Sequence, residues 1–165
     1  MLLKDFLKEG VARLESLYPA AEAKNLVLML CEERIGTKSY THVIEPEYSI
    51  GDKDLGVLTT DLEKLSAGEP VQYVLGLAEF CGLRFKVSPG VLIPRPETEL
   101  MCLEAIKEGI GMEPPVRVLD LCTGSGCIAW TLALNIPGSV VTGVDISNEA
   151  LETAKGQDFS RTLRD

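Results

Sequence analysis

The segment Val118-Leu119-Asp120-Leu121-Cys122-Thr123-Gly124-Ser125-Gly126 constrains this chain most, because Val144-Asp145 follows it at the spacing of one βαβ unit. The apolar run over 116–121 predicts a buried parallel strand, 123–126 a glycine turn, and 127–134 a helix. Gly124 and Gly126 let the backbone approach a ligand that any Cβ would hold off. The helix N-terminus behind them offers unpaired N–H groups to polar or anionic atoms. Asp145 ends the next strand, 21 residues after Gly124, where a carboxylate can accept both hydroxyls of a ribose. The combination reads as a nucleoside-binding device. The plainer alternative is a glycine turn with a surface aspartate and no ligand.

Two cofactors share this spacing. Gly124-x-Gly126-x-x-Ala129 fits the dinucleotide fingerprint, a weak signal by itself. Asp120 favours another ligand, since a carboxylate at the end of the first strand would repel a pyrophosphate. It suits the ammonium of an amino-acid moiety, as in S-adenosylmethionine. The methyl donor is therefore preferred, and a nicotinamide-dependent enzyme stays open.

A second region narrows the choice. Gly68-Glu69-Pro70-Val71-Gln72-Tyr73-Val74-Leu75-Gly76 leads into Glu79-Phe80-Cys81-Gly82-Leu83-Arg84-Phe85-Lys86-Val87, and then into Val91-Leu92-Ile93-Pro94-Arg95-Pro96-Glu97-Thr98-Glu99. With Asp120 to Gly126 and Val144-Asp145-Ile146-Ser147, this chain resembles the release-factor glutamine methyltransferases, the HemK/PrmC family, over about residues 6–155. The Ile-Pro-Arg-Pro-Glu-Thr-Glu string is the most specific part. The resemblance implies methyl transfer from S-adenosylmethionine to the side-chain amide of the glutamine in the Gly-Gly-Gln loop of peptide chain release factors. It puts Cys122, Thr123, Gly124, Ser125 and Gly126 around the methionine half of the cofactor, and Asp145 on the ribose. Arg95, Pro96 and Glu97 would border the same pocket; their alternatives are a surface salt bridge for Arg95 and helix-start charge for Glu97.

Two departures stand out. The family usually has glycine where this chain has Cys122, so a positive φ there would weaken binding. The family also has a later Asn-Pro-Pro-Tyr segment that holds the target glutamine. The asparagines here are Asn25, Asn135 and Asn148, and none precedes a proline. The expectation is a C-terminally truncated member with a donor site, no catalytic residue of its own and no turnover alone. The alternative is a non-catalytic module that binds S-adenosylmethionine or a release factor.

Composition bounds the rest. At 165 residues and 45% apolar content the chain suits one ordinary domain or two small ones. A charge of −9, from 25 acids against 16 bases, argues against a nucleic-acid substrate and leaves a protein acceptor. The cysteines Cys31, Cys81, Cys102, Cys122 and Cys127 are scattered, with no Cys-x-x-Cys pair. Buried, reduced thiols and no metal site follow. No stretch approaches a membrane span, and the start lacks a signal-peptide pattern, so a cytoplasmic location is expected.

The fold class expected is α/β: a small helical bundle over 1–75, a β-hairpin linker over 76–95, and the first part of a Rossmann-like class I methyltransferase domain over 96–165. In the bundle, Leu3, Phe6, Leu7, Val11, Leu14 and Leu17 recur at helical steps, with Tyr18-Pro19 closing that helix. Further helices are expected over 22–35, 39–44 and from Asp52 or Asp54, as cap, to about Ala67, with Asp61, Glu63 and Lys64 on a solvated face. Docking of a release factor on the bundle follows only from the resemblance. In the hairpin, Phe80 and Phe85 are the expected aromatic anchors. Helices over 97–107 and 148–155 and a strand over 139–145 complete the reading, with Ser147 as N-cap and a polar tail from Asp158.

Overall fold

The computed structural model describes residues 1–159. The chain falls into two units, Met1–Leu75 and Gly76–Asp165.

The first unit is helical: α1 (Leu3–Leu14), α2 (Ala20–Ile35), α3 (Thr41–Ile44), α4 (Asp52–Ser66) and α5 (Val71–Leu75). Helix α1 packs on α2 and α2 on α4. Leu14, Val27, Leu30, Leu58 and Leu65 meet in a core from which water is fully excluded. Helix α1 ends earlier than its periodicity suggests. The N–H groups of Leu17 and Tyr18 both turn back to the Leu14 carbonyl, and Leu17 is left half exposed. Helix α2 stops at Gly36, whose φ of 68° gives a left-handed cap that returns its N–H to Glu32. Helix α4 is preceded by Gly51 without a side-chain cap, so Asp52 and Asp54 act through the helix dipole in the first turn.

Asp61 corrects the sequence reading. It is 4% exposed rather than solvated. Its Oδ2 accepts from Arg34 Nε at 2.6 Å, and Arg34 Nη2 donates to the Val74 carbonyl at 2.8 Å. One guanidinium thereby joins α2, α4 and α5. Helical spacing alone assigned Asp61 to the outside, because it cannot register a cation 27 residues away.

The second unit opens with β1 (Leu77–Phe80) and β2 (Leu83–Lys86), paired antiparallel with Phe80 opposite Leu83. Both turn residues, Cys81 and Gly82, have positive φ, of 49° and 74°. That is the twist the tightest hairpin turns require. Phe80 and Phe85 pack edge to face at 6.2 Å, and Phe85 meets Phe159 at 5.1 Å. Phe159 in turn lies 5.5 Å from Trp130. The segment read as a polar tail therefore contributes a buried ring; its remaining positions, 160–165, lie outside the described residues.

Helix α6 (Pro96–Ile110) carries Pro96 in its first turn, where the missing N–H costs nothing. The βαβ unit follows: β3 (Arg117–Leu121), α7 (Cys127–Asn135) and β4 (Val140–Val144), then α8 (Asn148–Lys155). The strands are parallel, with Arg117 opposite Val140 and Leu121 opposite Val144. Val116, Leu132 and Ile136 form a small core beneath them with Val118 and Val141. Strand β3 is not buried throughout as its apolar run suggests. Leu119 is 61% and Leu121 67% exposed. An apolar run does not say how many faces are covered, and no described residue covers this one.

Candidate functional site

The site grows from the carboxyl end of β3. Asp120 is 7% exposed, and its Oδ2 accepts from the Thr123 hydroxyl at 2.7 Å and from the Ala129 N–H at 3.2 Å. Helix α7 lacks a local side-chain cap, so the strand carboxylate satisfies one of its first-turn donors from outside. The Thr123 N–H donates to the Val144 carbonyl at 2.9 Å, which ties the turn to β4. The Gly126 N–H returns to the Thr123 carbonyl at 2.8 Å.

Asp145 closes the arrangement from the end of β4. Its Oδ2 accepts from the Gly124 N–H and its Oδ1 from the Ser147 N–H, each at 2.9 Å. Those backbone donors, Ser147 first and then Gly124, hold the carboxyl's pKa below the ordinary carboxylate range. The group stays ionised near neutrality, as an acceptor for hydroxyls must.

Backbone geometry decides what can approach. Gly124 has φ 56°, and a Cβ there would meet nothing within 4 Å, so its bare backbone faces open space. Gly126 has φ 80°, and a Cβ there would lie 3.0 Å from both Ala154 Cβ and Trp130 Cδ1. One glycine leaves room for a ligand; the other lets the turn pack against α7 and α8. Cys122 sits between β3 and this turn with φ 61°, and its side chain is exposed, not buried as expected of the cysteines, because the turn carries it off the end of the strand. This is the left-handed conformation in which a Cβ is strained.

Of the residues singled out in the sequence, Asp120, Thr123, Gly124 and Asp145 are drawn together by hydrogen bonds. Cys122 and Gly126 flank them in the chain. Ser125 is 2% exposed, and its carbonyl accepts from Gln157 Nε2 at 2.9 Å. Arg95, Pro96 and Glu97 lie exposed at the start of α6, and none hydrogen-bonds the glycine turn among the described residues. Gln157 was not marked by any sequence pattern. Its bonds reach Lys86 and Ser125, 71 and 32 residues away, which no local motif records.

Other features of the unit are packing features. A cavity of about 240 Å³ touches the turn, lined by Thr123, Gly126, Ala129, Trp130, Val141 and Leu151. Apart from Lys155 its walls are small or apolar, and they include neither Gly124 nor Asp145. Burial raises the Cys102 thiol to about 12, helped by the neighbouring Cys81, Cys127 and Asp120, and it raises Cys81 and Cys127 as well. Such thiols are protonated and poor nucleophiles. No cluster of three potential metal ligands occurs among the described residues, and no described helix is long and apolar enough to cross a membrane.

Comparison with known proteins bears on both units. Residues 5–76 match the family model of the PrmC N-terminal domain. The release factor glutamine methyltransferase of Bacteroides thetaiotaomicron is 39% identical over 142 residues, covering 86% of this chain and 50% of that protein. That of Flavobacterium psychrophilum is 36% identical over 157 residues, covering 94% and 55%. That of Koribacter versatilis reaches 57% over 88 residues, covering 53% and 31%. A solved release-factor-specific protein-(glutamine-N5) methyltransferase from Alicyclobacillus acidocaldarius is 48% identical. It covers 43% of this chain and 44% of that one, at a TM-score of 0.31. The chain spans about half the length of the first two relatives.

Proposed function

We propose that this chain, which belongs to the release factor glutamine methyltransferase family along the half it spans, forms the methyl-donor side of such an enzyme. The observation that carries the reading is the closure of the turn by Asp145. Its carboxylate takes the Gly124 N–H at 2.9 Å beside backbone that a Cβ would otherwise occupy. That is a cradle for a nucleoside with a ribose-accepting acid at its edge.

S-adenosylmethionine fits these residues and, when bound, supplies a methyl group already activated on a sulfonium. Asp145 would accept the ribose hydroxyls. The turn from Cys122 to Gly126 would border the methionine half, and Asp120 beneath it would favour the ammonium over a phosphate. Arg95, Pro96 and Glu97 would border the pocket from the start of α6. The acceptor is the glutamine amide of the Gly-Gly-Gln loop of a release factor. The chain's contribution to rate is orientation, holding donor and acceptor in line. No residue here is assigned as a base, and none of the sequence supplies an Asn-Pro-Pro-Tyr loop to hold the glutamine. The residues assigned here are accordingly those of the donor side.

Calorimetric titration tests this. S-adenosylmethionine should bind and NAD should not, and Asp145→Ala should weaken binding by about a hundredfold, the loss of two charge-assisted hydrogen bonds. Binding of NAD instead, or unchanged affinity in the variant, would overturn the assignment.

A further inference from the structure

Gln157 lies two residues past the end of α8, after the Gly156 cap, and is 9% exposed. Its Oε1 accepts from the Lys86 N–H at 2.8 Å, and its Nε2 donates to the Lys86 carbonyl at 3.0 Å. The amide thus pairs with the last residue of β2 as an adjoining strand would. The other hydrogen on Nε2 goes to the Ser125 carbonyl at 2.9 Å. Lys86 Nζ reinforces the junction by donating to the Gly156 carbonyl at 2.8 Å. Phe159, two residues on, is wedged against Phe85 and Trp130 and fixes where this segment can reach.

The peptide that joins Ser125 to Gly126 is consequently held at both ends. Its N–H donates to the Thr123 carbonyl, and its C=O accepts from Gln157. That peptide lies between the two glycines whose φ values of 56° and 80° shape the turn. We infer that Gln157 is a positioning residue for the donor site, fixing the glycine turn so that the Gly124 N–H meets Asp145. The functional consequence rests on the cofactor reading above; the geometric claim does not. Only a primary amide offers an acceptor and two donors in one plane, so the role is chemically specific. Glutamate keeps the shape and loses both donors.

The test uses the full chain with Gln157→Glu, Gln157→Leu, and Phe80→Leu as a control that loosens the same core without bonding to the turn. Amide exchange by NMR, without ligand, should show protection of the Gly126 N–H reduced by roughly tenfold in both Gln157 variants, the effect of one lost hydrogen bond. Phe80→Leu should leave that protection unchanged relative to neighbouring amides. S-adenosylmethionine should bind the Gln157 variants roughly tenfold or more weakly, and the control as tightly as the parent. Unchanged Gly126 protection in a folded Gln157 variant overturns the inference, as does equal loss of affinity in the control. If the parent chain binds no S-adenosylmethionine, the donor-site reading falls, and exchange at Gly126 alone decides the placement of Gln157.

Discussion

The helical unit and the βαβ unit treat their apolar residues differently. Leu14, Leu30, Leu58 and Leu65 in the first are wholly enclosed, whereas Leu119 and Leu121 in β3 stand more than half exposed. Buried polar groups diverge as well. Asp61 is neutralised in place by Arg34, which locks α2, α4 and α5. Asp120 and Asp145 instead spend their oxygens on the backbone and hydroxyl of a turn, and Cys122 there holds a strained φ. The first unit is arranged around its own core. The second leaves Leu119 and Leu121 without cover among the described residues and holds a strained backbone angle at Cys122.

The contrast can be broken most directly by truncating one leucine in each region. Leu58→Ala should cost about 3 kcal/mol, because the enclosed site cannot refill. Leu119→Ala should change stability by no more than about 0.5 kcal/mol. Urea denaturation followed by far-ultraviolet circular dichroism measures both, and equal losses would show that β3 is packed as tightly as the bundle. A smaller effect sharpens the view of the turn. Cys122→Gly should stabilise the protein by about 1 kcal/mol, since glycine adopts φ 61° without strain, and should tighten S-adenosylmethionine binding. Loss of stability in that variant would mean the cysteine side chain makes up for its backbone.

The smallest effect is on acid stability. The folded-state carboxyl of Asp145 titrates below its ordinary value of 3.8, so its ionised form favours the native turn. That contribution is complete above the ordinary value and disappears as the pH falls through the folded one. Acid unfolding read from Trp130, the single tryptophan, should therefore show an added loss below about pH 4 that Asp145→Asn lacks. Superimposable curves would place Asp145 away from the Gly124 and Ser147 amides.

Where signals were local, the sequence was informative to the residue. Helix α7 begins at Cys127, and α8 spans Asn148–Lys155 with the Ser147 hydroxyl accepting from Ala150, because caps and glycines act within one turn. Phe80 and Phe85 do pack together across the hairpin. Where partners lie far apart in the chain, the reading failed or was silent. Asp61 looked solvated until Arg34 was placed beside it, Phe159 looked like part of a polar tail, and Gln157 carried no signal.

The residues by themselves determined the order of helices and strands apart from α5, which the sequence reading did not place, together with the glycine turn and the acid that follows it, since each depends on neighbours within a few positions or on one repeating period. Only the tertiary structure decided which carboxylate is enclosed, what sign the backbone angle at Cys122 takes, and which amide braces Ser125. Those outcomes depend on side chains from distant segments meeting at hydrogen-bond distance, and geometry of that kind exists only once the chain has closed on itself.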